Sequence, residues 1–332
     1  MAGPAAGTGW KEVFLGGSAE SEARLVDGYT TQINRLQDIN EARDGGPVDR
    51  AFHAGTLAAV TDAVFDVLPS VPADLAVGPF TAGSRHPAVV RLSSATGTLR
   101  HRVHGDLRGI AVRIPTDSGF HDLLMTNGPV SHARDVRQFM ISAMAFTARW
   151  RMVSFARILW AIGPRETVRM LMALRRDTTH AVSSLALERY WTRAPYAVGP
   201  VAVKLRLVPV DAGPGIPPTF DDARLRTELV ERLGQGPIIF ELQAQRYIDE
   251  HHTPIEDASV EWKTDVARPE PIGRLTLPQQ DLESSSASER EVDALSFNPW
   301  NTAGGIRPLG SSNRARQRVY ASSAAHRHAV GT

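Results

Sequence analysis

Segments with the pattern of β-strands lie on both sides of one long helical block, and no other feature of the sequence constrains the fold as strongly. The block, residues 136–196, is rich in Met, Trp, Leu and Arg, and a second helical pattern covers the tail from Leu309 to His328. Strands, then helices, then strands favour an α+β protein with a sheet or barrel core over alternating βαβ units. The strand-like segments are 87–93 and 109–115 before the block and 202–209, 238–245 and 258–264 after it.

The N-terminal residues have the composition of a lead-in segment. Ala, Gly and Pro dominate residues 2–9, and a polar helical pattern then covers 18–43. The sequence Gly45-Gly46-Pro47 ends this pattern. We therefore predict a lead-in with a polar helix over 1–45 and a single domain over 46–332, since a chain of 332 residues can form one large domain. The apolar positions of the predicted helix are Leu25, Ile33, Leu36 and Ile39.

The charge balance and the lack of cysteine exclude several classes of function. Lys and Arg number 37 against 36 Asp and Glu, so the chain has no overall positive field for a nucleic-acid backbone. Cysteine is absent, which excludes disulfides, thiolate nucleophiles, iron–sulfur clusters and Cys-ligated zinc or haem. A metal or haem would have to use His, Met, Tyr or carboxylate side chains.

Targeting and membrane-spanning patterns are absent from the sequence. Residues 1–10 lack the basic start and the continuous apolar core of a secretory signal. No apolar run reaches the roughly 18 residues of a spanning helix. We expect a cytoplasmic protein.

Common catalytic motifs are absent as well, which disfavours nucleotide hydrolases, dinucleotide enzymes, zinc proteases and esterases. His251 and His252 are adjacent, and on an extended segment their side chains would point to opposite faces and could not easily share a metal ion. We interpret this pair as part of a solvated loop.

The stretch 149–176 alternates arginines with Trp, Met, Phe and Leu. A basic amphipathic helix of this kind can lie on an anionic membrane surface or frame a channel for a lipid-like substrate. The alternative, which we favour, is a helix that packs one face on the barrel and exposes its arginines to solvent.

Four short segments, far apart along the chain, carry His, Arg, Ser and Tyr in a recurring order. They are Arg50-Ala-Phe-His53-Ala-Gly, then Val90-Arg91-Leu-Ser93, then the stretch from Asp106 through Asp122-Leu-Leu-Met-Thr126-Asn127 to Phe139, and finally Phe297-Asn-Pro299 with Arg316, Tyr320 and Arg327. Together, in order and spacing, they resemble the haem-binding core of the catalase family. The resemblance covers residues 50–140 and 297–328 well and the middle of the chain loosely.

The resemblance implies a bound haem b (iron protoporphyrin IX), with the Tyr320 phenolate as the iron ligand. An arginine at i−4, here Arg316, lies one helical turn away, and its fixed positive charge favours the phenolate over the phenol. Catalases place a phenylalanine against the haem plane, and Phe139 falls at that position. Arg50, Arg91 and Arg327 correspond to arginines that bind the two propionates by charge-assisted hydrogen bonds.

His53 corresponds to the catalytic histidine on the other haem face. It would take a proton from one peroxide oxygen and return it to the other, which is general acid–base catalysis. Ser93 corresponds to the serine that orients this imidazole. The resemblance also implies the fold: an antiparallel β-barrel with a helical layer, and haem between the barrel wall that carries His53 and the C-terminal helix that carries Tyr320.

The sequence departs from the family pattern near the catalytic histidine. Catalases have two consecutive asparagines where this chain has Thr126 and Asn127, and a hydroxyl replaces the first amide. Ser131 and His132 replace an aromatic pair. These changes disfavour rapid disproportionation of hydrogen peroxide. We nonetheless keep Thr126 and Asn127 as candidate catalytic residues.

The leading functional hypothesis is therefore a haem-dependent peroxidase related to catalase. One alternative is an enzyme that rearranges fatty-acid hydroperoxides, of the allene oxide synthase type, for which the basic amphipathic stretch would suit a lipid substrate. Two others are a haem-binding or sensing protein without turnover, and a non-haem barrel that binds a small acid through Arg91, Arg108 and Arg113. We expect a small-molecule peroxide or lipid hydroperoxide as the partner, and self-association into a homo-oligomer stays open.

Overall fold

The computed structural model describes residues 7–44, 50–95, 106–117, 119–145, 151–210, 213–282 and 286–330. Among them, the helices are α1 (Ala19–Asp44), α2 (Val136–Ala145), α3 (Arg151–Thr179), α4 (Asp222–Gln235), α5 (Ser286–Ala294) and α6 (Ser311–Val330). The strands are β1 (Gly55–Val67), β2 (Arg85–Ser94), β3 (Arg108–Thr116), β4 (Gly119–Thr126), β5 (Tyr190–Trp191), β6 (Tyr196–Val198), β7 (Val201–Val210), β8 (Ile238–Arg246), β9 (Glu270–Leu277) and β10 (Ile306–Pro308).

Eight of the described strands close into an antiparallel barrel. Their order is β7-β5-β4-β3-β2-β1-β9-β8, and β8 pairs back with β7. The remaining strands extend one side, since β6 pairs with β7 and β10 pairs with β6. Closure removes the exposed edges that an open sheet would present. The predicted α+β class and the antiparallel barrel with a helical layer are confirmed.

Alternation along the strands fills the barrel and separates two environments. On β3, Ile110, Val112 and Ile114 are buried in the barrel core, as are Leu123 and Met125 of β4. The residues between them lie on the opposite face of each strand, because successive side chains of a strand alternate. That outer face of β2, β3 and β4 carries the polar residues of the sequence motifs.

The long N-terminal helix packs against the C-terminal one. Val26, Tyr29, Ile33 and Leu36 of α1 share an apolar cluster with Val319 of α6. Ile33 and Leu36 are buried as the sequence pattern predicts, whereas Leu25 is exposed and Val26 and Tyr29 take its place. α1 thus contributes to the position of α6, and the proposed division at residue 45 stays a prediction.

The guanidinium of Arg314 ties α6 to three other parts of the chain. It lies 2.7 Å from Glu12, 2.6 Å from Glu22 at the start of α1 and 2.8 Å from Glu256. All four side chains are largely withdrawn from solvent, so these charge-assisted hydrogen bonds are little screened. They hold the first turn of α6 in place.

The structure corrects two of the secondary-structure predictions. Residues 258–264 form turns instead of a strand, because Ser259 donates through both its backbone N–H and its hydroxyl to Asp257, and the buried Trp262 offers its carbonyl to the Gln245 side chain. Of the described residues of the block 136–196, those in α2 and α3 are helical, and the block ends in β5 and β6. α3 breaks at Gly163, where φ is +79°, and Pro164 follows.

No helix within the described ranges is both long enough and apolar enough to cross a membrane.

Burial of His121 generates a prediction about stability. This side chain of β4 is fully buried against Phe80, and neither ring nitrogen has a described hydrogen-bond partner. Desolvation lowers its pKa from 6.5 to about 4. Below pH 6.5 the unfolded chain therefore binds a proton that the folded chain does not bind until about pH 4. The free energy of unfolding should accordingly decrease as the pH is lowered from 6.5 toward 4.

Replacing His121 with Leu should remove this proton uptake. Denaturant unfolding measured between pH 7 and pH 5 should show a slope up to about 1.4 kcal/mol per pH unit shallower in the variant. His251→Leu is the matched control, because that side chain is exposed and no described hydrogen bond uses its ring. Equal slopes in wild type and His121→Leu would contradict the assignment.

Candidate functional site

A cavity lies between the outer face of the barrel and α6. It contains about 920 Å³ of empty space, with the solvent at its mouth included. Apolar and small side chains make up much of its wall. The described lining residues are Arg50 to His53, Arg91, Ser93, Gly109 to Ala111, Leu124 to Thr126, Ser296, Phe297, Arg316, Tyr320, Ser323, Ala324 and Arg327.

Strand register builds the barrel side of this cavity. Ser93 of β2 pairs with Gly109 of β3, which in turn pairs with Thr126 of β4. The next row toward the same face is formed by Arg91, Ala111 and Leu124. Because residues two apart on a strand share a face, three motifs distant in sequence meet on one patch of barrel wall.

His53 stands over this patch in a constrained backbone conformation. Its φ is +54°, in the left-handed region that non-glycine residues rarely adopt, and its N–H donates to the Ala95 carbonyl at 2.8 Å. Its Nδ1 lies 3.3 Å from the Ser93 hydroxyl, the contact that the resemblance implies. The ring also packs directly on the backbone of Gly109, where a Cβ atom would lie 2.5 Å from Nδ1.

Arg91 fixes the chain around His53. Its guanidinium donates to the carbonyls of His53 and Ala54 at 2.9 and 3.1 Å. Those hydrogen bonds satisfy the carbonyl groups of His53 and Ala54. A strained backbone conformation such as that of His53 persists only where the surrounding contacts fix it. Arg91 therefore positions the histidine, besides lining the cavity.

The imidazole of His53 is held neutral. Desolvation first, and then the positive charges of Arg91 and neighbouring arginines, lower its pKa from 6.5 to about 3. A neutral imidazole has one nitrogen free to accept a proton at any pH near neutrality. This is the protonation state that a general base requires.

Asp293 of α5 is a site residue that sequence reasoning missed. Its carboxylate accepts hydrogen bonds from Arg91 at 3.0 Å, from Arg50 at 3.2 Å and from Thr56. Burial raises the pKa of Asp293, but the hydrogen bond from Thr56 and the two arginine charges outweigh it, so the pKa lies below its usual value. No motif marks this residue, and only the packing of α5 on β1 and β2 brings it to the arginines.

α6 supplies the other side of the cavity. Arg316, Tyr320 and Arg327 all line it, as their spacing on one helix predicts. The guanidinium carbon of Arg316 lies 5.9 Å from the centroid of the Tyr320 ring, and its Nη1 donates to Asn313 at 3.0 Å. Arg327 donates to the Ser296 hydroxyl at 3.3 Å. No described hydrogen bond uses the Tyr320 hydroxyl.

Thr126 and Asn127 have different surroundings. The Thr126 hydroxyl lies in the cavity wall, buried and without a described hydrogen-bond partner. Asn127 turns away, since its side chain accepts from the Arg108 N–H at 2.8 Å and donates to Glu188 at 2.9 Å. The structure therefore brings Thr126 to the site and leaves Asn127 outside the described cavity wall.

Phe139 does not line the described cavity but packs behind Phe52, which does. Its ring packs edge-on against Phe52, which lines the cavity, with centroids 5.3 Å apart, and lies 5.6 Å from the His132 ring. It supports the wall through Phe52. His132 is buried beside it, and desolvation lowers the His132 pKa to about 4.

The donor set suits an anionic ligand. Four of the lining residues are arginines, and none of the described lining residues is acidic. Asp293 neutralises part of the charge of Arg50 and Arg91, which leaves a net positive cavity. A buried hydroxyl without a partner at Thr126 and a phenol without a described partner at Tyr320 are further groups that a ligand could engage.

The adjacent histidines lie far from this cavity in sequence and on a turn, not on an extended segment. Their ring centroids are 4.5 Å apart, and ligand atoms of Asp249, His251 and His252 all lie within 4.8 Å of one another. The premise that the two side chains point to opposite faces is therefore wrong. Their exposure agrees with a solvated loop.

An eight-stranded antiparallel barrel with a cavity between its outer wall and a C-terminal helix defines a catalase-like fold. Residues 31–187 match the sequence model of the Catalase family. The chain therefore has a catalase-like fold, and the match to the family model covers a little under half of its length.

Solved structures agree with this assignment of the fold. Similar chains include a fungal catalase (17% identity, TM-score 0.68, 86% of this chain and 61% of that chain), a bacterial catalase (17%, 0.63, 86% and 58%) and catalase A from Saccharomyces cerevisiae (16%, 0.66, 86% and 62%). The chain thus spans about three fifths of the length of these catalases. A search of curated protein sequences finds no match.

Gly109→Ala tests the close packing beneath His53. The added Cβ would lie 2.5 Å from His53 Nδ1 and 2.9 Å from Ser93 Oγ, so the ring must move and its contact with Ser93 should break. A crystal structure of the variant should show this displacement, with a loss of stability of roughly 1–3 kcal/mol from overpacking. Gly234→Ala, where a Cβ meets nothing within 4 Å, is the control. An unmoved imidazole in Gly109→Ala would contradict the geometry.

Proposed function

We propose that this protein is a haem-dependent oxidoreductase that acts on peroxides, with peroxidase activity in preference to rapid catalase turnover. The observation that carries the proposal is a single cavity lined by a neutral histidine from the barrel side and by a tyrosine from α6. Bound haem would supply the iron and the redox chemistry by which the O–O bond of a peroxide is cleaved.

The residues of the cavity fit haem b. Tyr320 would ligate the iron as a phenolate, and the nearby charge of Arg316 favours that ionised form. Arg50, Arg91 and Arg327 would bind the two propionates. Together with Arg316 these arginines carry four positive charges, and Asp293 offsets one of them. The remaining charge balances two carboxylates and one phenolate.

His53 would move the proton. Its neutral ring can accept the proton of an incoming hydroperoxide and return it to the departing oxygen. Ser93 restricts rotation of the ring through Nδ1, and Arg91 holds the backbone at the carbonyls of His53 and Ala54. These contacts hold the imidazole in one orientation, and general acid–base catalysis requires the base to be positioned within hydrogen-bond reach of the proton.

Thr126 supports the preference for peroxidase activity. A hydroxyl stands where catalases have an amide, and it is shorter and cannot offer two N–H donors. Asn127 does not compensate, because Arg108 and Glu188 occupy its side chain. We therefore expect fewer polar contacts to a small peroxide than catalases make.

A second candidate is rearrangement of a lipid hydroperoxide. The lining residues Phe52, Leu124 and Phe297 give the cavity apolar walls that suit a hydrocarbon chain. Gas evolution from hydrogen peroxide, compared with consumption of a fatty-acid hydroperoxide without a reductant, separates the two candidates. A haem protein without turnover would show a Soret band and neither activity. The cytoplasmic location and self-association stay predictions from the sequence.

Tyr320→Phe tests the iron ligand. The wild-type protein reconstituted with haem should show the spectrum of a ferric high-spin haem, and the variant should lose or change it because the phenolate is gone. Tyr247→Phe removes a phenol elsewhere on the chain and should keep the wild-type spectrum. The same spectrum in all three proteins would exclude Tyr320 as the ligand.

His53→Ala tests the proton acceptor. Haem content should be retained, while peroxide consumption should slow by roughly 10²-fold or more. His252→Ala, at an exposed site, is the control. Turnover in His53→Ala equal to that of the wild type would refute the role of the base.

The pH dependence of turnover tests the neutral state of His53. Because burial and the arginine charges lower its pKa to about 3, kcat/KM should show no inflection from this residue between pH 5 and pH 8. Stability should be followed by circular dichroism at each pH to separate unfolding from titration. An inflection near pH 6.5 that disappears in His53→Gln would contradict a buried neutral imidazole.

A further inference from the structure

The outer surface of α3 carries large apolar side chains that no described part of the protein covers. Trp160 is 93% exposed, Met152 is 84% exposed and Met172 is 68% exposed. Val153, Phe155 and Val168 of the same helix are 40%, 46% and 56% exposed. We call the exposed large apolar side chains and the exposed arginines of this helix the α3 face: Met152, Val153, Phe155, Arg157, Trp160, Arg165, Val168, Met172, Arg175 and Arg176.

The opposite side of α3 is firmly packed, so this exposure does not reflect a loosely attached helix. Ile158 and Met170, one from each side of the kink at Gly163, are fully buried and share a cluster with Ala133 and Ala145. With 3.6 residues per turn, burial of these positions directs Trp160 and Met172 outward. A solvated helix face usually carries polar side chains there.

The charges of the α3 face are of one sign. Arg157, Arg165, Arg175 and Arg176 are exposed. The acidic residues of α3 are paired. Glu166 lies 2.9 Å from both Arg134 and Arg169, and the buried Asp177 lies 3.2 Å from Arg193 and 3.8 Å from Arg176. The surface is therefore both apolar and cationic.

We propose that the α3 face binds the surface of an anionic lipid bilayer. Arginines can reach lipid phosphates while Trp, Met and Phe enter the boundary between headgroups and acyl chains. Such binding would involve both the apolar side chains and the positive charges of the α3 face. The proposal rests on this surface alone and is independent of the proposed chemistry in the cavity.

A second copy of the chain fits the same surface less well. Closed dimers pair one patch with itself, so the arginines of one copy would approach those of the other. Like charges brought together across an interface are unfavourable. An anionic membrane has the complementary charge.

Vesicle co-sedimentation with the full chain tests the proposal. The protein should bind vesicles of phosphatidylcholine mixed with phosphatidylglycerol, and much less vesicles of phosphatidylcholine alone. Binding should weaken as salt rises, because screening reduces the attraction of the arginines to the surface. Equal binding to both vesicle types, or binding to neither, would overturn it.

Two variants and their matched controls separate the apolar and the charged contributions. Met152→Ser with Trp160→Ser should weaken binding at least tenfold, whereas Ile248→Ser, at an exposed apolar side chain on another surface, should not. Arg157→Gln with Arg165→Gln should weaken binding by about fivefold for each arginine. Arg85→Gln removes an exposed arginine elsewhere and should leave binding unchanged.

Fluorescence and sedimentation measurements complete the test. The tryptophan emission should shift to the blue on binding, and Trp160→Phe should lose most of that shift while it still binds. Unfolding temperatures should match the wild type, because the substituted side chains are exposed. If analytical ultracentrifugation instead showed a dimer that the Met152→Ser and Trp160→Ser changes dissociate, without vesicle binding, the α3 face would be a self-interface and the proposal would be wrong.

Discussion

The hydrogen bonds of Arg91 are the contacts on which the site depends. One guanidinium donates to the backbone carbonyls of His53 and Ala54 and also to the carboxylate of Asp293. It thereby links the outer face of the barrel, the strained segment that carries the histidine and α5. The register of β2 and β3 sets where Arg91 stands, because it pairs with Ala111 two residues from the Ser93–Gly109 pair. The register of β2 and β3, together with the hydrogen bonds of Arg91, therefore fixes the imidazole of His53 at the cavity.

Charge explains the rest of the site's arrangement. Four arginines around one cavity would repel one another without a counter-charge, and Asp293 supplies part of it between Arg50 and Arg91. Desolvation is the largest cause of the low pKa of His53, and the charges of Arg91 and Arg316 at this cavity lower it further. The arrangement therefore favours a neutral base and an anionic ligand in the same space.

The local motifs identified most of the residues that meet at the cavity, and strand alternation explains why. His53, Ser93, Arg316 and Tyr320 lie on strands, a helix or a short segment next to them, where spacing determines which side chains share a face. Contacts made by distant segments were not predictable in this way. Asp293 reaches Arg91 across 202 positions. The side chain of Asn127 donates to Glu188 and so lies outside the described cavity wall. Residues 258–264 form turns instead of a strand because side chains hydrogen-bond to this segment.

Phe139 shows how the helical layer and the cavity depend on each other. It packs with the cluster beneath α3 and with the cluster that joins α1, α2 and α6, and its ring contacts Phe52 at the cavity wall. The inner side of α3 is thus fixed by the same aromatic contacts that support the site. Because that packing already buries Ile158 and Met170, the stability of the helix does not require polar residues on its outer side. The α3 face can therefore carry tryptophan and methionine without weakening the contacts between Phe139 and Phe52 at the cavity wall.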